Sequence, residues 1–254
     1  MPILKRADAE IYYEEYGSGY PVLLLAPGGM RSQMAMWHSP AGGPPRAWND
    51  WTEVLAKDYR VIAMDQRNAG KSKGAIAADH GWQTYAADQL ALLDHLGVTH
   101  CHTLGGCIGS SFCLMLSQTA PARISAQVLQ NPIGLNPEFP TYFPEGYAEW
   151  AKELKAARPE LDDAALASFG RNMWDHDFVY CMQRDAVTKI ETPSLVMPGD
   201  DKPHPTYAGL ALAELLPHAE MLRTWKAPAH LSAAHDRVLA FLAQNTPKDT
   251  AAAA

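Results

Sequence analysis

The chain has 254 residues, 47% hydrophobic and 19% charged, a globular balance that excludes a disordered or collagen-like polypeptide and fits one large α/β domain or two small ones. Lys and Arg number 21 against 28 Asp and Glu, a net charge of −7 with no basic run, which argues against nucleic-acid and anionic-membrane partners. Four cysteines are too few for a disulfide framework, no apolar stretch approaches the ~20 residues of a membrane helix, and Met1 to Asp8 lacks a secretory pattern, so a reduced, cytoplasmic protein is expected.

In chain order, Glu10 to Tyr16 reads as an antiparallel edge strand ending at Gly17 and Gly19. Pro21 to Ala26 is a continuous apolar run, as expected of a strand buried on both faces, and it stops at Pro27, Gly28 and Gly29. Tyr59 to Met64 is a second such run, ending at Asp65-Gln66-Arg67. Ala86, Leu90, Leu93 and Leu96 recur at helical spacing, and Gly97 supplies a left-handed stop. Thr99 to Leu104 forms a third strand that leads into Gly105-Gly106, followed by a helical stretch from near Ser110. Ile124 to Gln130, Ser194 to Met197 and the weaker Glu220 to Trp225 complete the strands. Strand and helix in alternation predict an α/β fold: a mostly parallel sheet flanked by helices. Between residues 135 and 190 no strand is evident, and helical patterns carry Tyr142-Phe143, Trp150, Trp174 and Phe178 to Tyr180. This stretch is expected to be an inserted helical lid, with residues 1–134 and 191–247 forming the core and 248–254 a disordered tail.

Gly105-Gly106-Cys107-Ile108-Gly109 lies between a strand and a helix, which is the G-x-nucleophile-x-G elbow with cysteine in place of serine. A nucleophile on so tight a turn needs small residues two before and two after it, and the turn sets the sulfur at a helix N-terminus that favours the thiolate. Cys101, Cys113 and Cys181 have no such setting and read as core thiols. A nucleophile of this kind needs a base, and the base an orienting acid, at the carboxyl ends of strands. Asp201 follows one strand, with Asp200 as its alternative, and His230 follows the last; the order Cys107, Asp201, His230 suits the elbow. His204, close to Asp201 in Lys202-Pro203-His204-Pro205, is a rival base or a partner of the acid. The oxyanion donors are expected to be the N–H groups of Ile108 and Gly29, with Met30 behind Gly29. Met30, Trp37, Trp150 and Trp174 suggest an apolar small-molecule substrate. Asp175-His176-Asp177 cannot converge on one ion without a fourth ligand, so neither metal nor cofactor is expected.

Over residues 9–245 the chain resembles an α/β-hydrolase-fold protein. The resemblance is carried by Leu24 to Gly29, by Asp65-Gln66-Arg67-Asn68-Ala69-Gly70-Lys71-Ser72, by the elbow, by Pro193 to Asp201 and by Ala229-His230. The body is similar to the enol-lactonase and small-ester hydrolase branch, and the cysteine is similar to that of dienelactone hydrolases, which use Cys, Asp and His on this fold. Two departures stand out: Pro27 occupies the place of the family's usual histidine, and Lys202 that of its usual acid. The resemblance implies hydrolysis of a carboxylic ester, lactone or thioester through an acyl-enzyme. Acyl transfer on the same triad, a cofactor-free lyase using His230, and a non-catalytic small-molecule-binding role are the alternatives.

Overall fold

A computed structural model describes residues 2–39, 42–43 and 48–248, so the predicted tail beyond Lys248 lies outside the described residues. Among the described residues nine strands form one sheet: β1 (Ile3–Lys5), β2 (Ala9–Tyr16), β3 (Tyr20–Leu25), β4 (Tyr59–Met64), β5 (Lys73–Gly74), β6 (Cys101–Gly106), β7 (Ile124–Gln130), β8 (Ser194–Met197) and β9 (Ala219–Met221). The order is β1-β2-β4-β3-β6-β7-β8-β9, with β5 paired to β2. From β4 to β9 every neighbouring pair is parallel, and only the contacts of β2 are antiparallel. The helices are α1 (Trp51–Leu55), α2 (Trp82–His95), α3 (Ile108–Thr119), α4 (Tyr142–Ala157), α5 (Asp163–Trp174), α6 (Arg184–Val187), α7 (Thr206–Leu215) and α8 (Pro228–Gln244).

The apolar runs of the sequence are continuous because the sheet is covered on both faces. Along β3, Leu23 and Leu25 join the core beneath α2 and α3, while Val22 and Leu24 join the core beneath α1 and α8. All four are at most 1% exposed, so alternation of side chains across the sheet leaves no polar face to mark the strand. Gly97 ends the α2 region with φ +67, as its sequence position predicts.

Three elements differ from expectation. The Glu10 to Tyr16 strand is not the edge, because β1 pairs outside it; three residues are too few to show a period. The third strand starts at Cys101 rather than Thr99 and runs through Gly106. The last strand ends at Met221, since the chain then turns to bury Trp225, whose indole N–H donates to the carbonyl of Pro198 at 2.8 Å.

Between β7 and β8 stand α4, α5 and α6 with no strand among them. Asp162 caps α5 by accepting from the Ala165 N–H at 2.7 Å. The aromatics hold these helices to the body: Phe143 stacks on Trp174 with ring centroids 4.8 Å apart, and Trp174 meets Trp82 of α2 edge-on at 5.7 Å. The carboxyl ends of β3, β6, β7 and β8 therefore face a roofed space.

Candidate active site

The elbow is a backbone construction before it is a chemical one. Cys107, between β6 and α3, has φ 57 and ψ −121, a region that non-glycine residues occupy at a cost of about 1–3 kcal/mol. Its neighbours must be glycine: a Cβ on Gly105 would stand 2.1 Å from the Gly109 carbonyl oxygen, and one on Gly109 would stand 2.1 Å from that of Leu25. A Cβ on Gly106 would strike the Trp37 ring at 2.7 Å. The turn is pinned by the Cys107 N–H donating to Gln130 at 3.0 Å and by the Ser110 hydroxyl, placed between the carbonyls of Gly105 and Gln130.

The imidazole facing this sulfur belongs to His204. The loop after β8 doubles back through a bridge between Asp201 and His204, and only glycine at 199 allows it, since a Cβ there would lie 2.3 Å from that of His204. His204 is buried, with Nδ1 at 2.5 Å from Asp201 Oδ1 and 2.8 Å from the side-chain amide of Asn131. A protonated Nδ1 donates to Asp201 and calls for the carbonyl end of Asn131 on that side, which also relieves an otherwise orphaned Asn131 Oδ1. Asn131 follows β7 with φ 53, a conformation asparagine tolerates. Nε2 of His204 is buried with no nitrogen or oxygen partner, and the group that His204 pairs with on that side is Cys107.

The electrostatics follow from this placement. Burial pushes the Cys107 thiol up, but the His204 charge, a hydrogen bond from His204 and the N–H groups of Gly28 and Ile108 together hold it below its ordinary value. Burial pushes His204 down, yet Cys107 and Asp201 together raise it to about 9. Asp201 is raised by burial and lowered more by His204 and Lys226, ending below the usual carboxylate value. Both shifts run in the direction of a thiolate beside an imidazolium. Burial dominates at Cys101, Cys113 and Cys181, whose thiols rise to about 12.

The structure does not bring His230 to Cys107. His230 lies in the first turn of α8, exposed to solvent and outside the cavities that border the sulfur. Both histidines satisfy the order nucleophile, acid, base; the structure sets His204 and not His230 beside Cys107, because the proline-flanked turn folds it onto Asp201 three residues back. Asp200 points elsewhere, to Lys226.

A cavity of about 520 Å³ opens above the sulfur, lined by Gly28, Gly29, Met30, Tyr142, Trp174 and His204 among others. Met30 and Trp174 thus stand where a ligand would lie. Trp37 and Trp150 do not: Trp37 is wholly buried beneath Gly106, and Trp150 packs on Tyr147 and Phe169 inside the helical insertion. Gly29 borders the cavity, but the N–H drawn to the sulfur beside that of Ile108 is the one from Gly28. Sequence reasoning missed Gly28, Asn131 and Tyr142 as site residues. The Gly28-Gly29 pair and the Tyr142-Phe143 pair were visible signals, whereas nothing local marked Asn131.

Comparison with known proteins agrees with this architecture. The chain is 27% identical over 208 residues to "Putative carbamate hydrolase RutD" of Pseudomonas savastanoi, covering 71% of this chain and 80% of that protein. Among solved structures, the enol-lactonase of Burkholderia xenovorans superposes with a TM-score of 0.67 at 20% identity, covering 95% of this chain and all (100%) of that one. A hydrolase of Pseudomonas aeruginosa gives a TM-score of 0.68 at 24% identity, over 95% of this chain and 97% of the other. The family described as alpha/beta hydrolase fold matches residues 21–173, and the chain belongs to it.

Proposed function

We propose that the protein hydrolyses a carboxylic ester, lactone or thioester of a small molecule through a Cys107 thioester, with His204 as acid and base and Asp201 as its orienting partner. The observation that carries this reading is the buried His204 held between Asp201 and the strained, cavity-facing Cys107. The relatives named for carbamate hydrolysis and enol-lactone cleavage act at acyl carbon, which supports the same class of bond.

The Cys107 thiolate adds to the carbonyl carbon and the C=O π pair moves to oxygen, where the N–H groups of Gly28 and Ile108 receive the charge in place of the sulfur. Collapse expels the alkoxide or thiolate, which takes the Nε2 proton of His204. Water then enters, gives a proton back to Nε2, and its hydroxide adds to the thioester carbonyl. The second collapse releases the acid and restores the thiolate–imidazolium pair. The oxyanion donors supply about 10²–10³ in turnover per hydrogen bond on this type of site.

The test is acid-quenched intact mass after brief mixing with p-nitrophenyl acetate. The wild-type chain is expected to gain one acetyl group, on Cys107, with a burst of nitrophenol, and Cys107→Ala to show neither. A burst that survives Cys107→Ala, or none in the wild type at any time, overturns the reading.

A further inference from the structure

Cys107 does not lie at the end of one cavity but between two. Besides the 520 Å³ space beneath the helical insertion, a second cavity of about 120 Å³ reaches the sulfur, lined by Pro27, Gly28, Met36, Trp48, Gly106, Gln130, Asn131, Cys107 and His204. The two linings share three residues: Gly28, Cys107 and His204. These are a group that donates to the developing oxyanion, the nucleophile and the acid–base group. A carbonyl carbon bound at the sulfur can therefore extend one substituent into each space.

The walls say which substituent goes where. The floor of the small chamber, Gly106, Gln130 and Asn131, is buried, with Gln130 fixed by the indole N–H of Trp51 at 2.6 Å, while Pro27, Met36 and Trp48 at its sides are half-buried and only the shared Gly28 is exposed. The large cavity is bordered by exposed Tyr142, Glu145 and Glu149 and opens to solvent. The leaving group departs first and needs that open side, whereas the acyl group stays on sulfur until water arrives. We propose that the small chamber is the acyl site, so that the substrate is an ester or thioester of a short acid, with a tail of about four heavy atoms, joined to a bulkier leaving group. The size follows from volume, since a cavity of about 150 Å³ takes a benzene ring. Met36 is the flexible side chain of the wall, its Cγ lying 3.3 Å from where a Gly28 Cβ would be, so its size tunes the room left for the acyl tail. This rests on the thioester reading above.

A p-nitrophenyl ester series from acetate to octanoate tests it. From butyrate to octanoate kcat/KM is expected to fall at least tenfold, because a methylene that does not fit costs about tenfold or more. Met36→Ala should raise octanoate relative to butyrate by about tenfold, and Met36→Phe should narrow the preference to acetate. Octanoate turned over as well as butyrate, or a ratio that neither Met36 substitution moves, overturns the assignment. If those flat profiles come with an acyl adduct on Cys107, only the chamber assignment falls; if no ester leaves an adduct, the thioester reading falls with it.

Discussion

His204→Ala is expected to lower kcat/KM for an activated ester by about 10³-fold, the scale of losing a general acid–base group, while His230→Ala stays within about twofold, as for a surface substitution. The asymmetry follows from position. His204 is buried with Nδ1 on Asp201, and its charge is the reason the Cys107 thiol lies below its ordinary value despite burial. Without that imidazole only the two backbone N–H groups oppose the burial, so the thiol moves upward and the thiolate is lost at neutral pH. His230 is exposed in the first turn of α8 and lines neither cavity at the sulfur. Steady-state kinetics of the two variants side by side check the assignment. Equal losses, or a larger loss at His230, return the base to the end of the last strand.

Asp88→Ala carries the largest expected effect on stability, about 3–5 kcal/mol, because it leaves a buried guanidinium with only the partly exposed Asp8 as counter-charge. Arg67 follows β4 in the Asp65-Gln66-Arg67 run and is buried. Its Nε and Nη2 each donate to the Asp88 carboxylate at 2.8 Å, and Nη1 donates to Asp8 at 2.7 Å. Arg6 also reaches Asp88, tying β1 and the segment after it to α2. Burial alone would drive Arg67 toward its neutral form; Asp88 and Asp8 outweigh it and hold the charge. The double substitution Asp88→Leu with Arg67→Met removes both charges and is expected to cost less than Asp88→Ala alone. Urea midpoints at constant slope measure both. A loss below about 1 kcal/mol for Asp88→Ala would show that Arg67 reaches water on its own.

These two cases also show what the sequence can and cannot carry. The parallel sheet was legible because burial on both faces writes Pro21 to Ala26 and Tyr59 to Met64 as unbroken apolar runs. The elbow was legible because backbone contacts at 2.1 Å admit only glycine at 105 and 109, a constraint local to the turn. The choice between His204, named as a rival base, and His230 was not, because the distance between His204 and Cys107 is set by how a turn after β8 folds over a turn after β6. Local rules see Pro203 and Pro205 as loop punctuation; they do not see that Gly199 lets the loop close onto itself. Tryptophans failed for a related reason: size and hydrophobicity suit both a pocket wall and a core, and Trp37 fills the space left by the missing side chain of Gly106.

The thiolate–imidazolium pair is reached most directly by the pH dependence of iodoacetamide alkylation, followed at each cysteine by peptide mass. Cys107 should react fast at pH 7, retain that rate as the pH falls until its own lowered pKa is passed, and outpace Cys101, Cys113 and Cys181, which burial holds to about 12. In His204→Ala the Cys107 rate at pH 7 should collapse and recover only in alkali. A Cys107 rate that rises only toward pH 9 in the wild type, unchanged by removing His204, would contradict the account at its centre.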